Sequence, residues 1–288
     1  MHSKRLLESC HQEVFTHPRE REYQSLYRAY LFGQFRVFRN NRPIVEDRWR
    51  RSKAKLLLQW LILNQGKLFS ADQLIDLFWK DLPADTAMKN LHVTIHYLRR
   101  LLEPDLIRGQ KSSYIRRDEH NFYWLEKNSS WWTDVCAVEH LSTQARQFER
   151  QGNLPQTEAH YRKVVEYCEP GFMPEAIYED CFQPFRSQYE HLFLEALRWL
   201  IVHCQEKNEL DEALGYAYQA LHLNPYYEQA IYAIATVYTQ RGNVAAALRC
   251  LEDYQAKLER DLGVSPGQEL ERLRLRILQG REIKASIS

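Results

Sequence analysis

The spacing of apolar positions changes twice along the chain. From Leu31 to Phe38 apolar and polar residues alternate, a turn signal follows at Asn40-Asn41, and apolar residues resume at Ile44-Val45. That pattern predicts a small antiparallel sheet. Helical spacing begins at Ser52: SKAKLLLQWLIL, residues 52–63, has cations at its start, an apolar body and a stop at Asn64-Gln65-Gly66. A second helix opens at Ser70-Ala71-Asp72-Gln73, where Ser70 can accept from the third backbone N–H while Gln73 reaches back, and its apolar face is Leu74, Leu77 and Phe78. A third runs from Ala84 to Leu102 and is stopped by Glu103-Pro104. Ser112 to Arg117, a polar tip at Asp118-Glu119-His120-Asn121 and Phe122 to Leu125 then predict a hairpin, with Arg116 and Arg117 on opposite faces.

The third helix carries the most chemistry. Met88, Leu91, Ile95, Leu98 and Leu102 recur three and four apart, so they share one side at 100° per residue, and that side is core. Lys89, Val93, His96 and Arg100 lie opposite, with Thr86 and Tyr97 on one flank and Arg99 on the other. An α-helix fits the major groove of B-DNA, where Arg can fork onto guanine, His and Thr can bond base edges, and Val can touch a thymine methyl. The competing reading is a solvated stripe, which is commonly mixed in sign; this one has no carboxylate near its centre.

From Cys136 onward the chain is Ala/Leu/Tyr-rich and helical in period, with breaks at Gly152-Asn153, Asn208-Glu209, Asn224-Pro225 and Gly242-Asn243. A shift of 34 residues superposes Leu197 on Ile231, Leu200 on Ile234, Ala213 on Ala247, Leu214 on Leu248 and Ala217 on Leu251. This is the tetratricopeptide period, against which stands chance periodicity in an Ala/Leu-rich stretch. Gly152-Asn153-Leu154-Pro155 marks a third, divergent copy. Such helix pairs stack into curved arrays that hold a peptide or protein surface. The aromatic run through Tyr216, Tyr218, Tyr226, Tyr227, Tyr232 and Tyr238 reads either as interhelix packing or as a ligand-binding strip.

Charge sharpens this division. The net charge of +1 conceals three parts: residues 1–26 are neutral, residues 27–130 hold nineteen Lys/Arg against eleven Asp/Glu, and residues 131–288 hold sixteen against twenty-three. A basic module followed by an acidic one suggests a polyanion reader joined to something that must not bind the same polyanion. With 44% hydrophobic residues there is ample material for folded cores. The expected domains are an N-terminal extension over 1–26, a winged helix over 27–130, a helical domain over 131–280 and a tail over 281–288. Leu6-Leu7 with Val14-Phe15 permits the extension to be a helix docked on the sheet rather than a free tail.

Taken together, Leu31 to Leu125 resembles the OmpR-type winged helix, through SKAKLLLQWLILNQGKLFSADQLIDLFW and NLHVTIHYLRRLLEP. The continuation resembles the bacterial transcriptional activator domain of SARP-type regulators. It carries Thr133-Asp134-Val135, Glu169-Pro170-Gly171-Phe172, Arg186-Ser187-Gln188-Tyr189, Leu223-Asn224-Pro225-Tyr226 and Leu262-Gly263-Val264-Ser265-Pro266. Where many relatives have Gly-Tyr in the last strand of the wing, this chain has Phe122-Tyr123. The expected fold class is therefore an α+β winged helix-turn-helix domain followed by an all-α tetratricopeptide-like repeat domain.

The resemblance implies a transcriptional regulator, an activator, that binds tandem promoter repeats as a homodimer or tandem monomers and contacts RNA polymerase. It places Lys89, Val93, Thr94, His96, Tyr97, Arg99 and Arg100 towards DNA bases. Arg50, Arg51, Lys53 and Lys55 at the start of the first helix, with Arg116 and Arg117 in the wing, are phosphate candidates, and of the two wing arginines, which point to opposite sheet faces, at most one shares the side that meets the backbone or minor groove. Nothing resembles a receiver or an ATPase domain.

No enzyme constellation is expected. The ten glycines form no phosphate-cradling cluster, the eleven histidines include no HExxH, and no metal or other cofactor is implied. His92 and His96, although four apart, lie in a cationic face that repels a metal. The six cysteines, Cys10, Cys136, Cys168, Cys181, Cys204 and Cys250, have no CxxC spacing and read as reduced, mostly buried thiols. No stretch approaches the roughly 18 uncharged apolar residues of a membrane helix, and the start lacks a secretory apolar core, so no membrane partner and a cytoplasmic, nucleoid-associated location are expected. The alternative function is a helical-repeat adaptor whose winged helix makes protein contacts only.

Overall fold

The computed structural model describes Glu22 and residues 25–44, 52–128 and 130–287. The expectation for residues 1–21 lies outside the described residues. Two compact units form: one holds the residues up to Ala137 together with Glu169–Ser187, the other Val138–Cys168 and Gln188–Ser288. The first border thus falls after Ala137 where one near residue 130 is expected, and residues 169–187 return to the first unit.

In the first unit, β1 (Tyr27–Tyr30), β2 (Arg36–Arg39) and β3 (Arg42–Pro43) form an antiparallel meander, and β7 (Trp131–Thr133) pairs in parallel with β1, giving the order β3-β2-β1-β7. Asn40 and Asn41 both have positive φ, 47° and 62°, which is the demand of a two-residue hairpin turn whose twist matches its strands.

The expected strand over Leu31–Phe38 is shifted: β1 ends at Tyr30, and residues 31–35 form a connection. The cause is a distant partner. Phe32 bridges to Phe172, the Gly33 N–H donates to Gly171 O at 2.7 Å, and the Met173 N–H donates to Leu31 O at 2.9 Å. Gly33 sits at φ +70°, which breaks strand geometry.

Three helices follow as expected: α1 (Ser52–Leu63), α2 (Ala71–Phe78) and α3 (Ala84–Leu102). The capping box is present in both directions, with the Gln73 N–H donating to Ser70 Oγ at 3.2 Å and the Ser70 N–H to Gln73 Oε1 at 2.9 Å. The wing pairs β5 (Ile115–Arg117) with β6 (Phe122–Leu125), and β4 (Phe69–Ser70) joins the other edge of β6. The core is filled by Leu57, Leu58, Leu61, Leu74, Leu91, Leu98, Leu102 and Tyr123. Residues 169–187 add Phe182, and the Trp60 indole lies 6.0 Å from each of the Phe182 and Phe185 rings.

The second unit is built from helices. These are α4 (Asp134–Arg150), whose first turn belongs to the first unit, α5 (Leu154–Cys168), α6 (Gln183–Glu206), whose residues up to Ser187 also belong to the first unit, α7 (Leu210–Leu223), α8 (Glu228–Gln240), α9 (Val244–Leu262) and α10 (Gln268–Ile287). The residues related by the 34-residue shift, Leu197 and Ile231, Leu200 and Ile234, Ala213 and Ala247, are all buried. The turns of the three helix pairs have one geometry. Gly152, Asn208 and Gly242 take φ of 70°, 59° and 74°, and each following N–H reaches back five residues: Asn153 to Phe148 O, Glu209 to Cys204 O, Asn243 to Tyr238 O. That six-to-one closure is a Schellman turn, and it identifies the third copy by geometry.

Candidate nucleic-acid interface

The outward face of α3 is set by where its apolar side chains go. Ala87, Leu91, Thr94, Ile95, Leu98, Leu101 and Leu102 are buried, which turns Lys89, His92, Val93, His96 and Arg100 to solvent. Val93 is 50% exposed. Asp85 is also exposed; on the helical wheel it shares this face, and it lies in the first turn, where the helix dipole favours a carboxylate. The Arg100 Nη1 donates to Leu106 O at 3.1 Å, which directs its stem along the exposed end of the helix.

Thr94 departs from the sequence reading. It is 5% exposed, because it lies three residues after Leu91 and four before Leu98 and so falls inside the core arc. Tyr97 is half-buried. Arg99 is half-buried as well: its Nε donates to Ile115 O at 2.9 Å, and burial lowers its pKa from the usual guanidinium value. His92, which the expected base-facing set omits, has the same outward placement as His96; the 100° wheel carries that signal.

In the wing Arg116 and Arg117 are both exposed. Arg116 Nε lies 3.2 Å from Glu126 Oε2, which also accepts from Trp124 Nε1. Arg117 Nε donates to Asn121 Oδ1 at 2.9 Å, and its guanidinium stands 5.7 Å from the Tyr123 ring centroid. The tip carboxylate of Asp118 accepts the His120 and Phe122 N–H groups at 3.0 and 2.8 Å, so it serves the turn.

The cations at the start of α1 are differently placed. Lys53 Nζ is 3.8 Å from Glu179 Oε1, and Lys55 is ion-paired with Glu175 and lies 6.0 Å from the Phe35 ring centroid. Both carboxylates belong to residues 169–187, far along the chain, and local pattern could not have shown them. Arg50 and Arg51 lie outside the described residues.

Within the second unit the tyrosine run is largely engaged between helices. Tyr216 Oη accepts from Arg162 Nη1 at 2.8 Å, Tyr218 and Tyr238 share a hydrogen bond of 2.9 Å, and Tyr232 Oη accepts from Arg276 Nη2 at 3.2 Å. Cys204, Glu209 and Glu212 bring potential metal-ligand atoms within 4.8 Å of one another, a cluster the sequence pattern did not suggest. Arg162 Nη2 already lies 2.6 Å from Glu212 Oε2, so a guanidinium meets its charge. No helix among the described residues is long and apolar enough to cross a membrane.

Two family matches divide the chain in the same order as these elements. Residues 133–278, about half of the chain, match the bacterial transcriptional activator domain, and residues 50–120 match the C-terminal domain of transcriptional regulatory proteins. The regulatory protein AfsR of Streptomyces griseus is 23% identical over 235 residues, covering 79% of this chain and 22% of that protein. AfsR of Streptomyces coelicolor is 22% identical over 276 residues, covering 94% of this chain and 26% of that protein. The chain thus spans about a quarter of the length of these curated relatives. Among solved structures, Mycobacterium tuberculosis EmbR in complex with a low-affinity phosphopeptide superposes with a TM-score of 0.73 at 18% identity, covering 89% of this chain and 66% of that one. At that identity the likeness concerns the fold.

Proposed function

Given that this chain belongs to the bacterial transcriptional activator domain family, with an OmpR-type winged helix ahead of that domain, we propose that it is a sequence-specific DNA-binding transcriptional activator. α3 lies in the major groove. Lys89, Val93, His96 and Arg100, joined by His92, face the base edges, and Tyr97 lies at the flank. One of Arg116 and Arg117, which leave β5 on opposite faces, meets phosphate beside the groove, and Lys53 extends the cationic border. Thr94 supports the helix from its buried side.

The observation that carries this reading is the exposure of Lys89, His92, Val93, His96 and Arg100 on one face of a helix whose opposite face is core. Lys89 and Arg100 supply donors for base edges and phosphates on this face, and Val93 supplies a surface that a thymine methyl can meet. The repeat unit, which lacks the excess of cations of the winged helix, is the protein-contact part, with RNA polymerase as the partner and tandem promoter repeats as the target.

Selection of bound duplexes from a random pool, followed by binding of the full chain in a salt series, tests the proposal. The expected result is a defined repeated site and a log–log salt slope of about −5 to −8. Absent or salt-insensitive binding refutes it and favours the adaptor reading, in which the winged helix makes protein contacts only.

A further inference from the structure

The C-terminal turn of α3 is tied to the wing at two points. Arg99 Nε donates to the carbonyl of Ile115, the first residue of β5, at 2.9 Å. Four residues on, Glu103 accepts the Ser113 backbone N–H at 2.9 Å on Oε1 and the Ser112 hydroxyl on Oε2. Ser112 is buried, and its Oγ in turn accepts the Tyr114 and Ile115 N–H groups at 3.3 and 3.1 Å. Both ties therefore end on residues 112–115, where the chain enters the wing. Arg116 and Arg117 follow at once, with their positions inherited from that entry.

A guanidinium whose Nε–H is spent on a backbone carbonyl, and which is half-buried, is poorly placed to slide along base edges. A carboxylate beside a DNA-facing helix would only repel phosphate if it had no other task. The pair makes sense as a bracket between a rigid helix and a two-stranded ribbon that has little stability of its own.

We propose that Arg99 and Glu103 are positioning residues that set the angle of the wing on the recognition helix, so that whichever of Arg116 and Arg117 faces the duplex reaches the DNA backbone when α3 is in the groove. This rests on the DNA-binding reading, and it reassigns Arg99 from base contact to support.

The test exploits opposite signs. If charge alone mattered, Glu103→Ala would remove a repulsion and tighten DNA binding; as a bracket, it loosens it. Using the full chain and the duplex selected by the unaltered protein, Arg99→Met and Glu103→Ala should each weaken binding about three- to tenfold, the worth of roughly one net hydrogen bond. The magnitude of the salt slope should fall by about 0.9 for each phosphate that the displaced wing no longer reaches. Base preference in a fresh selection should stay the same. Combined with Arg116→Ala and Arg117→Ala, neither substitution should weaken binding further, because the side chains it positions are already gone.

Unchanged or tighter binding by Glu103→Ala, an altered preferred base in Arg99→Met, or additive losses with the wing substitutions overturns the proposal. If Arg99→Met fails to fold by circular dichroism, Glu103→Ala and Ser112→Ala carry the same test. Absence of salt-dependent binding by the unaltered protein is a different failure: it removes the DNA-binding reading and this inference with it.

Discussion

Asp134 accepts the Leu31 backbone N–H with both carboxylate oxygens, at 2.9 and 2.8 Å. The carboxyl is fully buried at the first residue of α4, and it also accepts the Phe32 N–H at 2.9 Å. Burial pushes its pKa up to about 7 from an ordinary 3.8, against the opposing pull of the Phe32, Leu31 and Val135 N–H groups. A carboxyl with a raised folded pKa binds more protons folded than unfolded, so the contribution of this group to stability falls as pH rises from about 4 to 7. In urea unfolding followed from pH 4 to 7.5, Asp134→Asn should be less pH-dependent than the unaltered protein across that window. Parallel pH profiles would show that Asp134 is ionised throughout.

Half-buried Lys55 and exposed Glu175 form an ion pair that holds residues 169–187 against the winged helix. Lys55→Ala should lower the unfolding free energy by about 1 kcal/mol, the upper range for exposed pairs with a small contribution from the Phe35 ring. It should leave the salt slope of DNA binding unchanged. A slope reduced by about 0.9 would return Lys55 to the phosphate-contacting set.

For the base-facing set the sharpest case is Arg100, exposed at the end of α3 and anchored by Leu106 O. Arg100→Ala should cost about 1–3 kcal/mol on the selected site and little on random duplex, which competition binding measures directly. Equal losses on both would make Arg100 a phosphate contact.

Much of this was legible where the information is local. The bounds of α3 follow from helical spacing that begins after Pro83 and ends ahead of Pro104, and the Ser70–Gln73 box is a three-residue pattern that forms as written. What escaped was non-local. No feature of Leu31-Phe32-Gly33 reveals that its N–H and C=O groups would bond residues 171–173, and Trp131–Thr133 carries no mark of pairing in parallel with Tyr27–Ala29. The site divides in the same way. The outward set Lys89, Val93, His96 and Arg100 follows from the 100° wheel, while the roles of Arg99 and Lys55 depend on a carbonyl in β5 and a carboxylate in the loop before α6.

Glu158 gathers three nitrogen-bearing side chains: Oε2 lies 3.0 Å from Lys207 Nζ and 3.1 Å from His203 Nε2, and Oε1 is 2.9 Å from Arg162 Nη2. Burial works against its ionisation, yet the hydrogen bonds from Lys207, Arg162 and His203 prevail and hold its pKa down at about 2. With the folded pKa depressed, its contribution is complete above about pH 4.5 and is lost as pH falls towards 2. Glu158→Gln should lower the thermal midpoint at pH 7, by an amount corresponding to about 1.5–3 kcal/mol for hydrogen bonds to a charged group. The gap from the unaltered protein should close as pH is lowered through that range. A gap constant between pH 5 and 2.5 would mean that packing, not charge, is what Glu158 supplies.

The three Schellman turns place Asn208 where Gly152 and Gly242 stand, at φ of 59° against 70° and 74°. A side chain at positive φ costs about 1 kcal/mol or more unless it is Asn or Asp, and nothing lies within 4 Å of where a Cβ would go at Gly152 or Gly242. Conformation alone, free of steric clash, is therefore what these positions select for. Gly152→Ala and Gly242→Ala should each destabilise by about 1 kcal/mol, Gly242→Asn should be tolerated better than Gly242→Ala, and Asn208→Gly should be near neutral. Chemical denaturation of the four variants checks the order. If Asn208→Gly cost as much as Gly242→Ala, the Asn208 side chain would be making a contact specific to its own turn, and the three helix pairs would not share one closing geometry.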